Sequence, residues 1–168
     1  MNRTAKLAVL AALLARRYRV QANPLNYNNE IGVPICLLEL RPETERAVIE
    51  HGMYTTGEIA TLCRWTRPRI GVVLNVGPTH LERAGSIEAI TRAKRELVEA
   101  LPADGVAVLN ADDERVRGMA DHTAAAVWTF GSMMQSRLWP AFSTTSTTSR
   151  YVHDVVQSFT RTVRILFP

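Results

Sequence analysis

A lysine in the middle of an apolar helical face is the first residue whose placement asks for a chemical reason. In SIEAITRAKRELVEAL (86–101), Ile87, Ile90, Ala93, Leu97, Val98 and Leu101 fall on one stripe at 3.6 residues per turn. Lys94 projects between Ile90 and Val98, a core position. Burial disfavours the charged ammonium. A neutral amine reacts with carbon dioxide to give a carbamate, in effect a carboxylate on a long arm, and hard cations such as magnesium take such oxygens. An ammonium cannot coordinate, so the lysine makes sense beside a metal only in that modified form. With Glu50 and His80, a carboxylate and an imidazole, an unmodified lysine would make an odd metal set.

The elements that must hold these groups alternate. RAVIEHG (46–52), RIGVVLNVG (69–77), GVAVLNAD (105–112) and AAVWTFG (125–131) are short apolar runs ending in Gly, Asn or Asp, and they predict buried strands. GEIATLCRWTRP (57–68), SIEAITRAKRELVEAL (86–101) and DDERVRGMAD (112–121) have helical spacing, the second with Ser86 as N-cap. Strand, helix, strand at this rhythm predicts an α/β fold, a mostly parallel sheet with helices on both faces. Glu50 then ends the first strand, His80 follows the second past the Gly77-Pro78 break, and Asn110 ends the third. All three are expected at the carboxyl edge of one sheet, where open α/β folds bind ligands, with Lys94 converging on them.

Composition bounds the rest. The chain has 168 residues, 46% hydrophobic and 21% charged, enough to bury a real core. Its net charge of +4 is uneven: residues 1–131 hold 16 Lys+Arg against 15 Asp+Glu, and 132–168 hold 4 against 1. The excess sits mainly in the tail, which argues against a nucleic-acid-binding face. Cys36 and Cys63 have no metal-ligand spacing and no partner framework, as expected of a reduced, cytoplasmic protein. The apolar run Leu7–Ala15 is followed at once by Arg16, Arg17 and Arg19, where a secretory signal needs small residues. It is too short to span a bilayer, so it reads as an amphipathic helix and no membrane segment is expected.

From Ser132 onward the character changes: 12 Ser/Thr in 37 residues, with a continuous run from Ser143 to Ser149. Strand-like pieces at 152–159 and 162–167 leave three readings open: a linker, an extra hairpin, or sequence out of its original frame. The expected division is therefore 1–131 and an atypical tail, 132–168.

The blocks NYNNEIGVP, VIEHGMYTTGEIATL and IGVVLNVGPTHLERAGSIEAITRAKRELVEALPADGVAVLNADD, taken together, resemble the central ATP-binding domain of the Mur ligases over about residues 4–131. Within that family the likeness is greatest to the members that join D-alanyl-D-alanine to a UDP-linked muramyl peptide. The resemblance implies a P-loop NTPase-like fold and ATP-dependent amide-bond formation in peptidoglycan precursor synthesis, with ATP and Mg2+ as cofactors. It implies that Glu50 and His80 are magnesium ligands and Lys94 the carbamylated lysine, that Asn110 lies beside the adenine, and that Asn28 and Asn29 face the phosphate and substrate region.

Each assignment has a plainer rival. His80 reads equally as a loop histidine, Glu50 as a solvated strand end, Lys94 as a side chain that snorkels outward, and Asn110 as a helix cap. Asp112 and Asp113 read as helix-start charges, and Cys36, Cys63, Trp65, His51 and His122 as core or surface residues. Against the rival for Lys94, the chain has only two lysines, Lys6 and Lys94, among 20 basic residues, and arginine cannot form this carbamate. The family's phosphate loop needs glycines followed by Lys-Ser/Thr ahead of a helix, yet the first glycine here is Gly32. The expectation is a truncated central domain without that loop, or, alternatively, a non-catalytic remnant that binds a partner or nucleotide.

Overall fold

A computed structural model describes residues 3–24, 26–78, 82 and 85–132. These divide into two compact units, 3–51 and 52–132. The possible strands of the tail, and His80, lie outside the described residues.

In the second unit the central strand follows directly from its sequence. β4 (Val106–Asn110) has Val106, Ala107, Val108 and Leu109 all buried, so it is covered on both faces and has no polar alternation. It pairs in parallel with β3 (Ile70–Val73) on one side and β5 (Ala126–Phe130) on the other, with Val72, Val108 and Trp128 in register. β5 is an edge strand and largely exposed, unlike the buried strand its apolar run predicts.

Two helices fix the sheet's surroundings. α3 (Glu58–Thr66) buries Ile59, Leu62 and Cys63. α4 (Ile87–Glu99) begins where Ser86 Oγ accepts the Ala89 N–H at 3.1 Å, and it buries Ile90, Ala93 and Val98 completely. Val98 and Leu101 join Val73, Ala107, Leu109, Val116 and Met119 in one core cluster. Burial of each valine, leucine or methionine among them contributes about 2 kcal/mol. The short helix α5 (Glu114–Arg117) is capped by Asp113 and runs into a 3₁₀ turn, Gly118–His122, that buries Met119.

The first unit holds two elements that the apolar pattern does not announce. α1 (Arg3–Ala15) is followed by β1 (Val20–Ala22), α2 (Gly32–Leu38) and β2 (Arg46–Val48). β1 and β2 are parallel, Gln21 opposite Ala47. β1 is three residues with a polar centre, and α2 carries Pro34 in its first turn, where a missing N–H costs nothing. Gly32 is required there, because a Cβ would sit 2.3 Å from the Tyr27 Cα.

Glu50 lies two residues beyond the end of β2 in the first unit's ladder, and Asn110 is the last residue of β4 in the second unit's. The predicted strands also run longer than the observed ones, since 49–52 and 74–77 leave the ladders. Among the described residues no helix is long and apolar enough to cross a membrane.

Candidate functional site

In the first unit the ladder's last contact is the Asn23 N–H on the Val48 carbonyl at 3.3 Å. Beyond it side chains take over. Asn23, only 6% exposed, accepts the Glu50 N–H on Oδ1 at 2.9 Å. Its Nδ2 donates to the carbonyls of Tyr27 at 2.8 Å and Glu50 at 3.3 Å. Asn28 Nδ2 donates to Glu50 Oε1 at 3.3 Å. The neighbouring Asn29 does something different: its Oδ1 accepts the N–H groups of Ile31 at 3.1 Å and Gly32 at 2.8 Å, starting α2. The two asparagines thus part company, one on the carboxylate and one on the helix. Beside them, burial pushes the His51 pKa down to about 4, so its imidazole is neutral at pH 7.

In the second unit three side chains bind three successive residues at the exit of β3. Asn110 Nδ2 donates to the Leu74 carbonyl at 2.8 Å, Lys94 Nζ to the Asn75 carbonyl at 2.5 Å, and Asp113 Oδ2 accepts the Val76 N–H at 2.7 Å. Asn110 Oδ1 accepts the Asp112 N–H at 3.0 Å, while Asp113 Oδ1 caps α5 through the N–H groups of Arg115 and Val116. The helix cap is Asp113 rather than Asn110. Asp112 reaches across to the end of β5, where Oδ2 accepts the Ser132 N–H at 2.8 Å and hydroxyl at 2.9 Å.

Lys94 is half-buried, not in the core as its helical phase predicts. The long side chain leaves the apolar stripe formed by Ile90 and Val98 and carries its amine to a backbone carbonyl, which is snorkelling toward a polar strand end. Glu50 lies in the first unit and Lys94 in the second.

The donor chemistry bears on magnesium. Glu50 has a half-buried carboxylate with one oxygen bonded by an amide, a hard donor of the kind the cation takes. Among the described residues no three His, Cys, Asp or Glu side chains cluster as a metal site. As an amine Lys94 does not fit the ion; as a carbamate it does.

Sequence reasoning passes over Glu96. It is 9% exposed on α4, and its carboxylate accepts the Gly57 N–H at 2.6 Å and the Ala60 N–H at 2.9 Å, the open donors at the start of α3. The signal was available, since Glu96 follows Ala93 by three positions and so shares its buried side. Burial and the nearby Glu96 push the Cys63 thiol up to about 12. Asn23 gives no comparable signal, because a lone asparagine after a three-residue strand has no period to break.

The Mur ligase middle domain model matches residues 2–167. The UDP-N-acetylmuramoyl-tripeptide--D-alanyl-D-alanine ligase of Mycobacterium tuberculosis is 43% identical over 126 residues, covering 75% of this chain and 25% of the relative. That of Escherichia coli is 40% identical over 112 residues, 67% of this chain and 25% of the relative. Among solved structures, MurF from Acinetobacter baumannii superposes with a TM-score of 0.75 at 30% identity, covering 79% of this chain and 30% of that one. MurF from Thermotoga maritima in complex with ADP gives 0.71 at 31% identity, covering 77% and 30%. The chain thus spans about a quarter of the length of the curated relatives it matches. With almost its whole length matched by that domain and its fold shared with MurF, the chain belongs to the Mur ligase family.

Proposed function

We propose that this chain is the nucleotide-handling middle portion of an ATP-dependent ligase that joins D-alanyl-D-alanine to a UDP-linked muramyl tripeptide, in the cytoplasm. The observation that carries this reading is the 43% identity to a relative of that name. In the reaction, the γ-phosphoryl of ATP passes to the peptide carboxylate, and the incoming amine attacks the acyl phosphate, releasing phosphate and forming the amide. Magnesium, when bound, neutralises charge on the transferring phosphoryl group. Glu50 and His80 are its ligands in this reading, Asn110 borders the adenine, and Asn28 and Asn29 face the phosphate and substrate region.

The geometry around Lys94 supports its part. Carbamylation forms a bond from Nζ to the carbon of carbon dioxide and releases one proton, leaving one N–H on the nitrogen. That remaining N–H can keep the bond to the Asn75 carbonyl, which would orient the planar carbamate and its oxygens. The Asn110 amide is held through both its oxygen and its nitrogen, and Nδ2 carries a second N–H for a base edge.

The second reading is a fragment without ligase activity of its own. It is favoured by the chain's covering only 25% of the relative of that name. The test is a chimera in which the aligned 126 residues replace their counterpart in the mycobacterial relative. The chimera is assayed for phosphate release and amide formation with ATP, magnesium, the UDP-linked tripeptide and D-alanyl-D-alanine. Activity abolished by Lys94→Arg supports the ligase reading. A soluble, folded chimera that is inactive overturns the ligase reading, and the purified chain assayed alone in the same way tests the second, which expects no substrate-dependent turnover there.

A further inference from the structure

We propose that Asn23 is a positioning residue that presents the Glu50 carboxylate to a divalent cation, an inference that rests on the reading of Glu50 as a metal ligand. The β1–β2 ladder ends at Val48, so the sheet itself does not fix Glu50. The Asn23 amide extends the pairing by two residues: it bonds both the N–H and the carbonyl of Glu50, at 2.9 and 3.3 Å. Holding the peptide groups on either side of one residue sets the direction of its Cα–Cβ bond.

The same Nδ2 holds the Tyr27 carbonyl at 2.8 Å, so the turn that delivers Asn28 is tied to the same point. Asn28 then bonds Glu50 Oε1 at 3.3 Å. Among the described residues this is the carboxylate's one hydrogen bond, which leaves Oε2 for a hard cation. At 6% exposure Asn23 has its oxygen and both amide hydrogens engaged, and water has little access to replace them. Aspartate has the same shape but would turn a carboxylate oxygen toward two carbonyl oxygens. Alanine removes every contact.

The experiment is amide NMR on the full chain, with Mn2+ as the probe ion. In Asn23→Ala the Asn28 side-chain amide signals are expected to move as they do in Glu50→Gln, while the backbone amides of Val33 and Cys36 report an intact fold. Asn23→Asp, which keeps the acceptor for the Glu50 N–H, serves if the alanine variant does not fold, with the same displacement expected. Asn28 signals unmoved in a folded variant overturn the proposal.

In the Mn2+ titration, wild type is expected to bind, Glu50→Gln to lose binding, and the Asn23 variants to bind at least about tenfold more weakly, the loss typical when a residue orienting a ligand is removed. If Glu50→Gln abolishes binding and the Asn23 variants stay within about twofold of wild type, the positioning role alone fails. If wild type and Glu50→Gln behave alike, the ligand reading fails, and the role of Asn23 in presenting a metal ligand falls with it.

Discussion

Lys94 and Asn110 hold adjacent carbonyl oxygens: Nζ of one binds Asn75 at 2.5 Å and Nδ2 of the other binds Leu74 at 2.8 Å. One side chain comes from a helix and the other from the end of the neighbouring strand, and both act where β3 has left its ladder. A backbone segment outside a sheet must find other partners. Here it finds them in side chains, so the chain entering Gly77 and Pro78 is aimed by Asn110, Lys94 and Asp113 together.

Asp113 is expected to matter most for stability, since it binds Val76 and caps α5 at once. Loss of a cap costs about 1 kcal/mol and loss of a charge-assisted hydrogen bond at least as much again. Asp113→Ala should lower the unfolding free energy in urea by about 2 kcal/mol and speed hydrogen exchange at the Val76 amide. Asp113→Asn, which keeps an oxygen for the cap, should lose less than half of that. A loss under about 0.5 kcal/mol in the alanine variant would contradict the double role.

Glu96 invites a comparison between two substitutions. Its buried carboxylate answers two open N–H groups of α3, Gly57 and Ala60. Glu96→Ala leaves both unsatisfied and opens a cavity, so a loss of about 3 kcal/mol is expected. Glu96→Gln keeps one acceptor oxygen and should fall between alanine and wild type. Thermal and urea unfolding read the difference, and equal stabilities for glutamine and alanine would mean that the carboxylate's hydrogen bonds carry none of it.

Cys63 supplies a pH dependence. Its folded pKa is raised from 9.0 to about 12, so above pH 9 the unfolded chain gives up the thiol proton while the native one keeps it. The native state then binds more protons, and the contribution of this group to stability falls by about 1.4 kcal/mol per pH unit between 9 and 12. Cys63→Ala should flatten that part of the alkaline stability curve. Iodoacetamide at pH 8 should leave Cys63 unmodified in the native protein and modify it in urea, as peptide mass mapping would show; native labelling at a comparable rate would contradict its burial.

The parts of the fold that were legible are those with a long apolar period. α4, with Ser86 as its cap, and the central strand β4 stand within a residue or two of where their patterns put them. β1 and α2 were illegible for a physical reason: three residues and seven residues are too few to show a period, and tertiary contacts around Asn23 and Gly32 carry them. The strand ends misled in a similar way. Glu50 and Asn75 continue apolar runs, yet amide and ammonium donors from other elements displace the ladder there. Lys94 was legible as an anomaly in its helix. Its half-buried setting was not, because helical phase fixes where Cα–Cβ points and not where a four-carbon chain ends.

The modification of Lys94 is the most direct test of the proposed chemistry. Lys94 is half-buried with its amine bonded to the Asn75 carbonyl, and reaction with carbon dioxide needs the neutral form. Carbon-13 bicarbonate supplied to the chain with magnesium should give a carbamate resonance in NMR. Lys6 is the only other lysine, so Lys6→Arg should keep the resonance and Lys94→Arg should remove it. Asn75 supplies only its backbone carbonyl, so Asn75→Ala should leave the signal in place. A signal that survives in Lys94→Arg, or that never rises above the background from the terminal amine, would remove Lys94 from the proposed magnesium chemistry.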